Sequence, residues 1–162
     1  MRLLAARPLT IQEVRQRLVR GGHEAAEIDR TIRGLLSRGY LDDRLLAYNL
    51  ASSLAARRLY GRVRVQAELR RRGVPKDTIA EAVEKAFADL DEDGMALAAA
   101  RRLAPSGRIP PGDKTRQRIV RSLLRRGLPM SAVAKALRSM AGEQDAEGLE
   151  REIEDDEFEA DT

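Results

Sequence analysis

Three glycines, Gly22, Gly73 and Gly127, stand in the same apolar frame. Eight residues before each is Val14, Val65 or Ile119, and four before is Leu18, Leu69 or Leu123. Six after is Ile28, Ile79 or Val133, and ten after is Ile32, Val83 or Leu137. The glycines lie 51 and 54 residues apart, and a period of that length indicates a tandem array. Apolar pairs four residues apart mark one face of a helix on either side of the glycine. The glycine itself falls where the first helix must stop, at the position that favours positive φ. Pro75 and Pro129, two residues after their glycines, suit the first turn of the next helix. Each repeat is therefore a helix-turn-helix pair whose recurring apolar positions belong to the core.

A further helix should precede each pair. Asp42 or Asp43 can cap one running to about Arg58, with Leu46, Leu50 and Leu54 as its stripe. The Ala-rich stretch Gly94 to Leu103 is helical by propensity, and Arg2 to Arg7 offers only a short helix. Thr10-Ile11-Gln12-Glu13 reads as a capping box, with Leu9 and Val14 as its hydrophobic staple. Ala104 to Asp113, with three Pro and two Gly, reads as a loop, and Asp113 as the next cap. The expected architecture is all-α: three tandem three-helix repeats at 1–38, 39–90 and 91–140, then a tail at 141–162. Repeats this short, in a chain with 3% aromatics, bury thin cores. They should lean on their neighbours in an elongated, curved body.

Composition removes several classes of chemistry. With no cysteine there is no disulfide scaffold, thiolate zinc site or thiol nucleophile. The one histidine, His23, fills the place of Val74 and Leu128 in the other repeats, so it reads as a partly buried repeat residue rather than a base. Adjacent Asp42 and Asp43 read as caps rather than metal ligands. Neither Gly21-Gly22 nor Gly61 has the flanks of a phosphate loop. No enzyme activity, cofactor or metal is expected, and no membrane span or signal peptide is read.

Charge is distributed unevenly. Residues 141–162 hold eleven acids and one base, a net −10, and the other 140 residues carry +14. So acidic a tail should be disordered. It serves either solubility or competition for the basic body. Of the 30 basic residues, 26 are Arg. Eleven, nine, two and one residues before the glycine stand Arg62, Arg64, Arg71 and Arg72 in the second repeat, and Arg116, Arg118, Arg125 and Arg126 in the third. The first repeat has Ile11, Glu13, Arg20 and Gly21 there. Arg121 continues the face of Arg118 and Arg125, and Arg57, Arg58 and Arg70 extend the second cluster. Last-turn arginines complement the helix dipole, but the earlier pair in each helix lies outside its range. The remaining reading is a basic strip for a polyanion or an acidic protein groove.

The segments Leu35-Leu36-Ser37-Arg38-Gly39-Tyr40-Leu41-Asp42-Asp43-Arg44 and Gly61 to Val74 (GRVRVQAELRRRGV) resemble the signatures of the RecX family, bacterial regulators of the RecA recombinase. Leu124-Arg125-Arg126-Gly127-Leu128 resembles that family's closing motif. The family usually has Phe where Leu45 or Leu46, and where Leu128, stand. The resemblance covers about residues 1–140. It implies three tandem three-helix repeats and a non-enzymatic cytoplasmic protein seated in the groove of the RecA–DNA filament. There it would inhibit ATP hydrolysis, strand exchange and co-protease activity, restraining recombination and the SOS response. It also implies that the basic surface runs from Arg57 to Arg72, with Arg116 to Arg126 following by repeat alignment. The expected partners of this monomer are RecA and, weakly and salt-sensitively, single- or double-stranded DNA. A helical protein acting directly on DNA is the rival reading. Against it, the five aromatics (Tyr40, Tyr48, Tyr60, Phe87 and Phe158) are few for stacking single strands.

Overall fold

A computed structural model describes residues 7–104 and 113–141, Asp113 by its backbone alone. The acidic tail beyond Ala141, the loop at 105–112, the Asp113 cap and nearly all of the short first helix lie outside the described residues. The described residues form eight helices and no strand: α1 (Ile11–Arg20), α2 (Ala25–Ser37), α3 (Asp43–Arg58), α4 (Arg62–Arg71), α5 (Lys76–Phe87), α6 (Glu92–Leu103), α7 (Asp113–Arg125) and α8 (Met130–Met140). The all-α reading is met. The chain divides into two compact units, one of Met1–Arg58 with Val65–Ala88, the other of Leu59–Arg64 with Asp89–Thr162.

The repeated apolar positions are core. Val14, Ile28 and Ile32 join Leu9 and Leu41 in one buried cluster, with Leu18 packed against it half-buried. Their counterparts Val65, Leu69, Ile79 and Val83 in the first unit are buried, as are Ile119, Leu123, Val133 and Leu137 in the second. Each such Val, Leu or Ile contributes about 1.5–3 kcal/mol. Alanine supplies the rest. α3 buries Leu46, Ala47, Ala51 and Ala55 towards α5, and α6 sets Met95, Ala96, Ala99 and Ala100 on α8. The expected Leu46-Leu50-Leu54 stripe is therefore corrected. Leu50 and Leu54 are only half-buried, because the helix turns its small residues inward, where they let a neighbour approach closely.

The stop signals hold as read. Gly22, Gly73 and Gly127 have φ of 80°, 76° and 74°. The N–H of each following residue returns to the carbonyl of Leu18, Leu69 or Leu123, which closes the helix end. Gly39 does the same after α2, with Tyr40 donating to Leu35. Pro75 and Pro129 stand one place before the first helical turn, as N-caps of α5 and α8. Of the two candidate caps for α3, Asp42 does the capping, accepting from the Leu45 N–H at 2.9 Å. Leu59, just past α3, takes a left-handed φ of 53° while buried.

Two junctions join helix starts to helix ends, one inside each unit. In the first unit the capping box is complete: Thr10 Oγ1 accepts from Glu13 N–H, and Glu13 accepts from Thr10 N–H. The Thr10 hydroxyl also donates to the Arg72 carbonyl at 2.7 Å, and Asp43 accepts from the Ile11 N–H at 3.0 Å. In the second unit Gly61 N–H donates to the Arg126 carbonyl at 2.8 Å. A Cβ on Gly61 would sit 2.0 Å from the Gly127 carbonyl oxygen. In both junctions, the residue twelve before one glycine bonds the carbonyl of the residue just before the next glycine.

Candidate functional site

The arginines anticipated as a basic surface divide by what the fold does with them. Arg57 and Arg58 are exposed in the last turn of α3. Arg62 opens α4 half-buried, 3.7 Å from the Glu92 carboxylate. Arg64 is exposed with its guanidinium 5.5 Å over the Tyr60 ring, within cation–π range. Arg70 and Arg71 are exposed at the end of α4, and Arg71 forks onto Glu68 at 2.8 and 3.1 Å. On α7 the spacing puts Arg118, Arg121 and Arg125 on one face, and all three are exposed, whereas Arg116 and Arg126 are half-buried.

Arg72 has a different situation. Its side chain is only 12% exposed. Nε and Nη2 hold the two Glu13 oxygens at 3.0 and 2.7 Å, and Nη2 also donates to the Pro8 carbonyl at 2.7 Å. Such a charge-assisted bidentate pair is strong and directional. Arg7 reaches Glu13 from the other side at 3.0 Å. Burial alone would raise the Glu13 pKa. The Arg72 and Thr10 hydrogen bonds, with the charges of Arg72 and Arg7, outweigh it and bring the group down to about 2. Asp43, nearby, moves the other way: burial first, then the neighbouring charges of Asp42 and Glu13, raises it despite the Ile11 hydrogen bond. Sequence reading left this network out because its partners are about sixty residues apart. The only local hint is an acid, Glu13, where the other repeats have Arg64 and Arg118.

Between α1 and the end of α4, the first unit opens a cleft of about 370 Å³ lined by Arg7, Arg17, Arg20, Arg70, Arg71 and Arg72, with Glu13, Gln16 and Gly73. Arg17 and Arg20 come from the repeat that lacks the two early arginines. The i, i+3 spacing on α1 was the available signal. His23 is exposed, its Nδ1 3.1 Å from Glu27. This corrects the partly buried reading, since Val74 and Leu128 at the equivalent places are 5% and 3% exposed. Of the two leucines where the family usually has Phe, Leu46 is buried and Leu45 exposed, so Leu46 fills the core position. No group of three potential metal ligands occurs among the described residues. None of the helices described is long and apolar enough to cross a membrane.

Comparison with known proteins agrees with the helix pattern. Residues 1–35 match the family model for the first three-helix domain of RecX, and residues 42–83 the model for its second. The chain is 34% identical over 149 residues to "Regulatory protein RecX" of Halorhodospira halophila, covering 91% of this chain and 89% of the relative. It is 33% identical over 153 residues to the protein of that name in Escherichia coli K12, covering 87% and 89%, and 30% identical over 141 residues to that of Pelodictyon phaeoclathratiforme, covering 85% and 84%. No solved structure matches. With two RecX domains in order and relatives matched along most of their length, the chain belongs to the RecX family of regulatory proteins.

Proposed function

We propose that this chain is a non-enzymatic modulator of the RecA recombinase that seats in the groove of the RecA–DNA filament. It lowers ATP hydrolysis, strand exchange and co-protease activity, and thereby restrains recombination and the SOS response. The observation that carries this reading is membership of a family whose curated relatives are named regulatory protein RecX. The exposed arginines of α3, α4 and α7 supply the chemistry. They form bidentate contacts to carboxylates or phosphates, and a filament groove presents both. In this reading the chain is a cytoplasmic monomer of three repeats, 1–38, 39–90 and 91–140. The arginines at 57–72 meet the filament first, and those at 116–126 extend the contact.

RecA's ATPase on single-stranded DNA, titrated with this protein, tests the proposal. The rate falls at near-stoichiometric amounts if it holds; a rate unchanged to large excess, with filament confirmed present, refutes it. The acidic segment 141–162 is proposed to compete for the α7 arginines. Its deletion then tightens DNA binding at low salt, and the gain shrinks as salt screens exposed charges. Equal affinities at low salt leave the segment a solubility role only.

A further inference from the structure

We propose that the cleft between α1 and the end of α4 is a binding site for nucleic-acid backbone phosphates, with the exposed Arg20 and Arg70 as its contacts. Six arginines line it against one glutamate, a formal +5. The single acid, Glu13, is already held by Arg72 and Arg7, and Glu68 offsets Arg71. Helix-dipole complementarity covers Arg17, Arg20, Arg70 and Arg71, in the last turns of α1 and α4, and leaves Arg7 and Arg72. It acts only within the last turn and contributes about 0.3–1 kcal/mol per group. Arg7 precedes α1 altogether. The terminal carbonyls of both helices are also met by backbone N–H groups after Gly22 and Gly73.

The lining decides between anions. Protein hot spots set arginines beside aromatic anchors in well-packed, desolvated pockets. Among the described residues this cleft offers guanidinium groups, one glutamate, one glutamine and a glycine, and no apolar side chain. Phosphodiesters need only fixed cationic donors at charge-matched spacing, and Arg supplies them in a planar fork. No ring lines the cleft among the described residues, so base stacking is absent there and binding is indifferent to sequence. The site needs no RecA, and it stands or falls separately from the filament reading.

The test is fluorescence anisotropy with a short labelled oligothymidylate on the full chain, comparing R20E/R70E with a control of equal charge change on α2 and its C-cap, R33E/R38E. Arg33 and Arg38 are exposed and outside the cleft. The cleft variant is expected to bind about tenfold or more weakly at low salt, with a salt slope reduced by about 1.4, the value for two lost single-strand phosphate contacts. The control stays within about twofold. Helicity and melting temperature confirm folding, and R20Q/R70Q replaces the reversal should it unfold. Equal losses in both variants, no loss in either, or competition by an oligoglutamate peptide as effective as by unlabelled oligothymidylate overturns the assignment.

Discussion

The two junctions occupy the same repeat positions and are built from opposite materials. In the first unit, the start of α1 meets the end of α4 through a hydroxyl, a half-buried carboxylate and a guanidinium. In the second, the start of α4 meets the end of α7 through a backbone contact, Gly61 lying against Arg126 and Gly127. The glycine junction tolerates no Cβ, and its Gly61–Arg126 bond joins two backbone groups that do not titrate. The polar junction tolerates side chains, since Thr10 and Glu13 are part of it, but ties stability to the ionisation of Glu13. One backbone geometry thus makes one contact sterically brittle and the other pH-sensitive.

The largest effect expected from breaking this contrast is at Gly61. Gly61→Ala places a Cβ 2.0 Å from the Gly127 carbonyl oxygen, an atom with no freedom to move aside. A loss of about 3 kcal/mol or more is expected by denaturant unfolding. Gly73→Val comes next. Left-handed strain costs about 1–2 kcal/mol, and the new Cβ meets Gln12 at 2.6 Å. Gly22→Ala calibrates the strain alone, because nothing lies within 4 Å of its Cβ. It should cost about 1 kcal/mol, and a cost equal to that of Gly73→Ala would show that the Gln12 contact is immaterial.

Acid should weaken the polar junction selectively. Glu13 has a folded pKa of about 2 against an ordinary 4.5. A depressed carboxylate contributes stability that is complete above 4.5 and is lost as pH falls towards 2. The full shift corresponds to roughly 3 kcal/mol, reduced to about 1–2 by solvent access to the pair. Hydrogen exchange should therefore show α1 loosening between pH 4.5 and 2 while the Gly61 junction stays protected. Glu13→Gln should remove that dependence, and identical pH profiles for wild type and variant would refute it.

Asp43 sharpens the same point with a smaller and opposite effect. Its pKa is raised, chiefly by burial, so ionisation of Asp43 opposes folding and its contribution improves as pH falls. Asp43→Asn keeps an oxygen for the Ile11 N–H and removes repulsion from Asp42 and Glu13. It should be neutral or stabilising by about 0.5 kcal/mol, whereas Asp43→Ala, which leaves that N–H without its acceptor, should cost about 1 kcal/mol. Equal losses in the two variants would contradict this account.

These junctions also mark where sequence reasoning stops. Local chemistry was legible: the Thr10 capping box, the left-handed glycines and the buried repeat positions depend on residues within about ten places of one another. The Arg72–Glu13 pair was not, since periodicity places Arg72 on a helix but says nothing of what faces it. For Gly61 the sequence supports no more than its rejection as a phosphate loop, because a backbone-to-backbone approach leaves no pattern in either segment. The Leu50–Leu54 stripe failed for a related reason, as apolar period does not show whether leucine or alanine faces the neighbour. The candidate surface was legible as an arginine pattern, but its division into exposed and structurally engaged members depended on the tertiary fold.

The central claim, that this chain restrains a RecA filament through its exposed arginines, is tested most directly by RecA's DNA-dependent ATPase with wild type and R64E/R71E side by side. Both substituted residues are exposed on α4, so stability should change by about 0.5 kcal/mol or less. The account predicts inhibition by wild type and a substantially weakened effect from the equally helical variant. A folded variant that inhibits as well as wild type would contradict it.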